Sequence, residues 1–172
     1  LHISNHCGSE CLYCANRKSN KAVERKYMTS PEMREAALKL IRQGHKRIFL
    51  VSGQLPNADI EYLAEAISIL YTAFDGVGEV HSVNVNVGAL ESHEYAALLE
   101  SYVGTVLIYQ DTYHEASYRA AHISGPKSDY YARLNAADVA FQAGVPDVGG
   151  GLMLGLGPWQ YDLLGIVQHQ AH

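Results

Sequence analysis

The 172-residue chain predicts an α/β fold, namely a partial parallel (βα) barrel of the TIM type. Strand-like apolar runs alternate with amphipathic helical stretches, a pattern typical of a mostly parallel sheet covered by helices. About five such units are present, whereas a complete eight-unit barrel needs roughly 250 residues. A doubly wound open sheet is the alternative, but the first turn lacks the G-x-G-x-x-G phosphate fingerprint of that fold.

The predicted strands are short runs rich in β-branched and other apolar residues. The third run alternates strictly, as Val83-Asn84-Val85-Asn86-Val87, so its two amides share one face of the strand. The predicted strands cover Leu1–Asn5, Arg47–Ser52, Val80–Gly88, Gly104–Gln110 and Asp147–Leu154.

Each predicted strand is followed by one or two stretches with apolar residues at helical spacing. The segment Thr29-Ser30-Pro31-Glu32 is a strong helix start, because a hydroxyl cap precedes proline and an acidic residue. Gly44 and Gly144 follow their helices at positions typical of C-caps. The predicted helices cover Pro31–Gln43, Asn57–Tyr71, Glu91–Tyr102, His114–Ala121, Ser128–Ala143 and Pro158–Gln168.

The net charge is −5, so the sequence lacks the excess of basic residues that is typical of nucleic-acid-binding proteins. No apolar run is long enough to span a bilayer, and no signal peptide is recognisable. The basic segment Lys18–Lys26 is predicted to be a solvated loop. A reduced, cytoplasmic setting best fits cysteine thiolates that act as ligands.

Each end of the chain falls inside a strand-like or amphipathic pattern. Leu1 already lies in a strand-like run, and His172 ends an amphipathic pattern. We therefore interpret the sequence as a fragment of a longer protein.

All three cysteines of the chain lie together, as Cys7, Cys11 and Cys14 in a C-x3-C-x2-C segment after the first predicted strand. Three thiolates can hold three irons of a 4Fe–4S cluster and leave the fourth iron open to a substrate or cofactor. The spacing therefore favours a catalytic site over a structural one.

Two other interpretations of the cysteines remain open. Together with His2 or His6 they can form a Cys3His zinc site in a non-catalytic module, or they can be free cysteines packed as small hydrophobic residues. The odd number and the absence of cysteine elsewhere argue against a disulfide framework.

Polar residues follow or end several predicted strands, where the chemistry of a βα barrel resides. Asn84 and Asn86 either face a ligand or bond to each other and to neighbouring backbone. Gln110 and Asp111 either face a ligand or cap the next helix. Three consecutive glycines in the last strand either let backbones approach each other or let a ligand approach the backbone. The polar segments are Val51–Gln54, Asn84–Asn86, Tyr109–His114 and Gly149–Met153.

The cysteine motif, with Tyr13 before its last cysteine, resembles that of the radical S-adenosylmethionine (radical SAM) enzymes. The segments Tyr109–His114 and Ser124–Tyr130 are similar to the Y-Q-E-T-Y-H and G-P-K-x-D segments of the tyrosine lyases of that superfamily. That group comprises FeFe-hydrogenase maturases of the HydG type and 2-iminoacetate synthases of the ThiH type. Asn84–Asn86, the Gly44–Arg47 turn and Ser124–Tyr130 look more like HydG.

This resemblance implies that residues 1–172 are the N-terminal two-thirds of a radical SAM core barrel whose C-terminal remainder is absent. It also implies that the three cysteines bind the cluster, that Tyr13 lies near the adenine of S-adenosylmethionine and that Gln54 faces its amine. Asp111 and Arg133 are the implied catalytic residues. The implied cofactor-binding residues are Tyr13, Gln54, Asn84, Asn86, Gln110, Asp111 and Arg133.

The chain departs from the family pattern at several of these positions. Gln54 replaces an acid, and Asp111 is one methylene shorter than the usual glutamate. Ala15-Asn16 follows the last cysteine where glycine and an aromatic residue are more common. Val139 replaces an expected arginine, and Arg133 is more typical of ThiH than of HydG.

The implied reaction is radical cleavage of the Cα–Cβ bond of L-tyrosine to p-cresol and dehydroglycine. The implied partners are a reductant such as ferredoxin or flavodoxin and, for the HydG type, hydrogenase maturation proteins; neither nucleic acid nor membrane is expected. In HydG a second cluster in a C-terminal domain forms carbon monoxide and cyanide, and this chain has no cysteines left for it.

Overall fold

The computed structural model describes residues 1–54, 59–76 and 78–171. Five strands form one parallel sheet in the order β1-β3-β4-β5-β7, and β2 pairs with β6 in a small antiparallel sheet. The strands are β1 (His2–Ser4), β2 (Glu10–Cys11), β3 (Arg47–Ser52), β4 (Ser82–Asn86), β5 (Thr105–Asp111), β6 (His122–Ser124) and β7 (Asp147–Leu152).

The order of the large sheet follows the order of the chain from one edge to the other. A doubly wound sheet reverses direction at a switch point, whereas a barrel adds each new strand on the same side. The prediction of a partial parallel barrel is therefore confirmed.

Helices connect the parallel strands. The first begins at Ser30 after the N-cap Thr29, whose backbone and side chain form a capping box with Glu32. The hydroxyl cap is the one that the sequence predicts. The helices are α1 (Ser30–Arg42), α2 (Ile60–Thr72), α3 (Ser92–Leu99), α4 (Glu115–Ala121), α5 (Tyr130–Leu134), α6 (Ala136–Gln142) and α7 (Trp159–Ala171), with a 3-10 turn at Pro126–Ser128.

The predicted helix Ser128–Ala143 is wrong as a single element. Asp129 caps α5 by accepting from the backbone N–H of Ala132, which starts the helix later than predicted. Asn135 ends α5 and begins α6, so the helical pattern is broken there. The predicted start of the second helix at Asn57 lies outside the described residues, and α2 begins after Asp59.

The two faces of the sheet differ in composition. Alternate residues such as Leu50, Val85 and Ile108 are buried with the apolar faces of the helices in one core. The opposite face, which is the lumen of a barrel, carries Phe49 and the two asparagines of β4. None of the helices formed by the described residues is long and apolar enough to cross a lipid bilayer.

Candidate active site at the carboxyl ends of the strands

The cysteine loop lies against the carboxyl end of β3. A Cβ atom at Gly53 would lie 2.2 Å from the carbonyl oxygen of His6 and 2.9 Å from Cβ of Cys7. The backbone N–H of Gly8 donates to the carbonyl of Gln54 at 2.8 Å. Glycine at position 53 is therefore needed for the loop to approach the strand, and any side chain would displace the first cysteine.

A second contact holds the loop through the antiparallel pair β2–β6, which the sequence analysis did not anticipate. Gly125 has a φ of +90°, and a Cβ there would lie 2.3 Å from the carbonyl oxygen of Gly8. The hydroxyl of Ser9 accepts from the backbone N–H of Lys127 at 3.2 Å. The G-P-K segment recognised in the sequence thus packs directly on the cysteine loop.

Arg25 cross-links backbone segments of the same loop by hydrogen bonds. Its guanidinium donates to the carbonyl oxygens of Asn5, Asn16 and Arg17 at 2.5, 3.0 and 2.7 Å. A single side chain thereby joins the two ends of the segment that contains the cysteines. The prediction that Lys18–Lys26 is only a solvated loop is wrong for this residue.

Backbone N–H groups point at two of the thiols. Ser9 donates to Sγ of Cys7 at 3.4 Å, and Asn16 donates to Sγ of Cys14 at 3.3 Å. Burial raises the pKa of the Cys11 thiol to about 11. The free thiol is therefore protonated at neutral pH, and a metal must displace that proton in order to bind.

The chemistry of this donor set fits a cubane cluster. Each thiolate of a 4Fe–4S cluster binds a different iron, so the three sulfur atoms need not converge on one point. Within residues 1–54, 59–76 and 78–171, no group of three or more His, Cys, Asp or Glu side chains is arranged to hold one metal ion.

Gln54 supplies an unused acceptor beside the cysteine loop. Its Nε2 donates to the carbonyl of Ala89 at 3.5 Å, whereas its buried Oε1 has no partner among the described residues. A buried acceptor without a donor is costly, and a ligand with N–H groups would satisfy it. This observation fits the predicted contact with the amine of S-adenosylmethionine, which stays a prediction.

Asp111 is the centre of a buried polar network at the end of β5. Its Oδ2 accepts from the Tyr13 hydroxyl at 3.1 Å, lies 3.4 Å from Nε2 of His122 and pairs with Nζ of Lys127. The Tyr13 hydroxyl also lies 2.7 Å from Nε2 of His122. The network joins the tyrosine of the cysteine motif to β5, β6 and the G-P-K segment.

The electrostatics of the network keep Asp111 ionised. Burial would raise the pKa of its carboxyl, but the His122 hydrogen bond and the Lys127 charge outweigh burial and hold the pKa at about 2. Nδ1 of His122 faces the carbonyl of Tyr118 at 2.8 Å and therefore carries a proton.

The backbone at Asp111 is strained. Its φ of +65° is unusual for a residue other than glycine, and the pairing of β5 with β7 shifts register there. Such a conformation costs on the order of 1 kcal/mol and tends to occur at functional sites. Strain and engagement of the carboxylate together indicate that Asp111 positions its neighbours; its predicted contact with a cofactor stays untested.

The two asparagines of β4 have different surroundings. Oδ1 of Asn84 accepts from the backbone N–H of Thr105 at 2.9 Å and from the Ser82 hydroxyl at 3.1 Å. This oxygen is committed to the neighbouring strand, which favours the structural alternative for Asn84. Asn86 lies nearer the carboxyl end of the same face and stays a predicted ligand contact.

Gln110 and Arg133 do not join the Asp111 network by hydrogen bonds. Both line a cavity next to α6 and the end of α7, on the helix side of β5. Alternation along the strand explains this, because Gln110 follows the core residues Val106 and Ile108 at the same spacing. Arg133 still contributes a positive charge that lowers the pKa of Asp111. The predicted cofactor contacts of Gln110 and Arg133, and the catalytic role of Arg133, stay untested.

Asp162 is a buried residue of this region that the sequence analysis missed. Its Oδ1 accepts from the Thr112 hydroxyl at 2.7 Å and from the backbone N–H of Tyr113 at 2.8 Å. Asp162 thereby ties α7 to the residues that follow Asp111. The sequence signal was an acid in the first turn of a helix, which looks like an ordinary surface position.

We expect Asp162→Ala to lower the free energy of unfolding by roughly 1–3 kcal/mol, because it leaves two donors unpaired. Asp162→Asn is the matched control, since it keeps an amide oxygen in place of Oδ1. Urea unfolding followed by circular dichroism checks the difference. Equal loss in the two variants would show that the hydrogen bonds to Thr112 and Tyr113 are not what Asp162 contributes.

Comparison with known sequences decides the family. A sequence model of the Radical SAM superfamily matches residues 1–160. This chain belongs to the radical SAM superfamily. Radical SAM enzymes use a 4Fe–4S cluster and S-adenosylmethionine, so the cofactors expected from the cysteine motif are those of the family.

Individual relatives show which radical SAM enzymes this chain is similar to. The 2-iminoacetate synthase of Escherichia coli (strain K12) is 29% identical over 171 residues, which are 98% of this chain and 44% of that protein. A crystal structure of HydG, a maturase of the FeFe-hydrogenase, superimposes with a TM-score of 0.97 at 36% identity over 100% of this chain and 38% of that one. The structure of HydG from Carboxydothermus hydrogenoformans superimposes with a TM-score of 0.90 at 35% identity. The superposition covers 98% of this chain and 39% of that one.

These radical SAM relatives confirm the resemblance to HydG and ThiH that the sequence motifs suggested. The chain spans less than half the length of each, at 44% of the synthase and 38% of the first HydG chain.

Proposed function

We propose that this chain carries the radical SAM part of a tyrosine lyase of the HydG type, which cleaves the Cα–Cβ bond of L-tyrosine to p-cresol and dehydroglycine. The observation that carries the proposal is the likeness to HydG over the whole chain, with a TM-score of 0.97 and 36% identity. On this proposal residues 1–172 are the N-terminal two-thirds of the core barrel.

Several residues of the cysteine loop would have specific roles in such an enzyme. Cys7, Cys11 and Cys14 would hold the cluster, and the N–H groups of Ser9 and Asn16 would stabilise charge on two of the sulfur atoms. When bound, the cluster and S-adenosylmethionine supply the one-electron chemistry that removes a hydrogen atom from the substrate.

The remaining residues bind and orient. Oε1 of Gln54 is a free buried acceptor for the ammonium group of the cofactor. Asp111, held by Lys127 and His122, fixes the ring of Tyr13 between the second and third cysteines. Because Asp111 is buried and ionised, it keeps the hydroxyl of Tyr13 oriented without taking a proton from it. Asn86 is the polar group of β4 placed to face a ligand in the lumen.

A 2-iminoacetate synthase of the ThiH type is the second candidate, because the Escherichia coli enzyme matches 98% of this chain at 29% identity. Both candidates break the same bond of tyrosine and differ in the fate of dehydroglycine. The sequence of the gene beyond His172 separates them, since three further cysteines would favour HydG. A reducing compartment, such as the cytoplasm, and a reductant such as ferredoxin or flavodoxin suit either candidate.

The test is anaerobic reconstitution with iron and sulfide, followed by incubation with S-adenosylmethionine, dithionite and L-tyrosine. We expect p-cresol and 5′-deoxyadenosine in the wild type and neither product in Cys11→Ala. Formation of 5′-deoxyadenosine without p-cresol in the full-length protein would keep the superfamily assignment and contradict the tyrosine-lyase proposal.

A further inference from the structure

Positive charge in this chain is concentrated in the segment that follows the last cysteine. Residues 15–26 carry five basic side chains and one acidic side chain, whereas the rest of the chain carries eight basic and seventeen acidic side chains. A local excess of one sign on a protein of the opposite net charge attracts partners of the other sign and orients their approach. The segment therefore has the charge of a docking surface for an acidic partner.

Lys18 and Lys21 are the cations of this segment that remain free. Both are exposed, and neither forms a salt bridge within the described parts of the chain. Arg25 is engaged with backbone carbonyls inside the loop, and Lys26 pairs with Glu32. The fold thus uses other basic side chains internally and leaves these two lysines to solvent.

The carboxylate of Glu10 lies beside this segment but is already engaged. Its Oε1 accepts from the Ser19 hydroxyl at 2.6 Å and lies 3.6 Å from Nε of Arg17, and its Oε2 accepts from the backbone N–H of Ser19 at 3.1 Å. The charge of Glu10 therefore offsets that of Arg17 and leaves Lys18 and Lys21 uncompensated.

The basic segment is held against the cysteine motif. The backbone N–H of Lys18 donates to the carbonyl of Ser9 at 3.0 Å. Nη1 of Arg17 donates to the carbonyl of Cys14 at 3.1 Å. A partner bound at Lys18 therefore lies next to the backbone of the loop that carries the cysteines.

Two exposed apolar side chains lie next to this segment. Leu12 is 58% exposed and Ile123 is 55% exposed. The segment of Lys18, β2 and β6 are neighbours in that order, because Ser19 bonds to Glu10 of β2 and β2 pairs with β6. Apolar side chains bordered by charge are typical of protein interfaces, whereas surfaces that bind nucleic acid are more polar and far more positive. The combination favours a protein partner.

We propose that Lys18 and Lys21, together with Leu12 and Ile123, form the docking surface for a small acidic electron-transfer protein that reduces the cluster. This inference rests on the cluster of the proposed function and assigns the surface that its electron donor uses. The partner is oxidised by one electron and the cluster is reduced by one, with no other reactant. Electron-transfer complexes have small interfaces, and charge sets their rate of association, which suits a surface with two free lysines.

The experiment is stopped-flow reduction of the reconstituted full-length protein by an acidic flavodoxin in its fully reduced form, followed by the visible absorbance of the cluster. Neither S-adenosylmethionine nor tyrosine is present. We expect the second-order rate constant to fall at least ~10-fold in Lys18→Glu/Lys21→Glu and, in the wild type, to fall as NaCl is added. Dithionite should still reduce the variant completely, with the same electron paramagnetic resonance signal as the wild type, because the cysteines are unchanged.

Lys46→Glu/Arg47→Glu is the matched control. These two cations are also exposed and form no salt bridge in the described part of the chain, but they lie at the amino end of β3, away from the cysteine loop at its carboxyl end. The two double variants have the same net charge, so a difference between them reports the position of the docking surface. A rate constant in Lys18→Glu/Lys21→Glu no lower than in this control, or a wild-type rate that does not fall with salt, would overturn the proposal.

Two further measurements keep the result decisive. Lys18→Gln/Lys21→Gln removes the charges without reversing them, so its rate constant should lie between those of the wild type and the reversal, even if the reversal lowers the iron content. A single-stranded RNA whose binding is lost in Lys18→Glu/Lys21→Glu, while the rate with flavodoxin is unchanged, would assign the surface to nucleic acid and contradict the proposal. Because the readout needs no substrate, absence of p-cresol would contradict the lyase proposal alone.

Discussion

Cys11→Ser is expected to reduce the iron bound after reconstitution from roughly four atoms per chain to near background and to abolish turnover. Cys11 is the buried cysteine of the motif, and it lies in β2, where the loop is pinned to β6. Its thiol is therefore the ligand least able to be replaced by a rearranged loop or by water. Iron and sulfide analysis together with p-cresol formation measures the effect.

The control for this variant is Ala15→Ser, which places the same hydroxyl on an exposed position one residue after the last cysteine. It should retain full iron content. Normal iron content and turnover in Cys11→Ser would show that this cysteine is not a ligand.

Asp111→Asn is expected to lower the free energy of unfolding by about 3 kcal/mol, because it leaves the Lys127 ammonium and the polar groups of His122 and Tyr13 without their buried partner. Lys127 is partly exposed, which keeps the expected loss at the lower end of the range for buried pairs. We also expect the affinity for S-adenosylmethionine to fall, since Tyr13 loses its anchor.

The pH dependence of this effect has a definite sign. The pKa of Asp111 is lowered from 3.8 to about 2 in the folded protein. The stability that its carboxylate contributes is therefore complete above about pH 4 and is lost as the pH falls towards 2. The difference between wild type and Asp111→Asn should follow that curve in urea unfolding.

Two further variants distinguish the loss of the buried Asp111 network from a general loss of stability. Adding Lys127→Met to Asp111→Asn should recover part of the loss, because the uncompensated ammonium is removed. Glu115→Gln disrupts the exposed pair with Arg119 and should change stability by less than about 1 kcal/mol. If Asp111→Asn lowers the free energy of unfolding by no more than Glu115→Gln does, the buried network does not stabilise the site.

The sequence predicted the larger elements because their signals are local. Apolar runs bounded by polar residues gave β3 at its observed limits, Arg47–Ser52, and the hydroxyl-proline-acid signal gave the start of α1. The small β2–β6 sheet has strands of two and three residues, too short for any periodic pattern. The break at Asn135 depends on capping geometry, which the apolar spacing does not record.

In the candidate site, too, local signals were readable from the sequence and long-range contacts were not. The cysteine spacing indicates the chemistry of the site directly. The partners of Asp111 are not visible in this way, because Tyr13 lies 98 residues away along the chain and His122 and Lys127 lie in later segments. Gln110 stays a predicted cofactor contact. The alternation of Val106, Ile108 and Gln110 places it on the helix side of β5.

The most direct test of the central claim, that three cysteines hold a cluster with one open iron, is electron paramagnetic resonance of the reconstituted, dithionite-reduced protein with and without S-adenosylmethionine. We predict a reduced-cluster signal whose shape changes when the cofactor is added, because the cofactor binds the open iron. A signal that is indifferent to the cofactor, or metal analysis showing one zinc and no iron or sulfide, would contradict the claim.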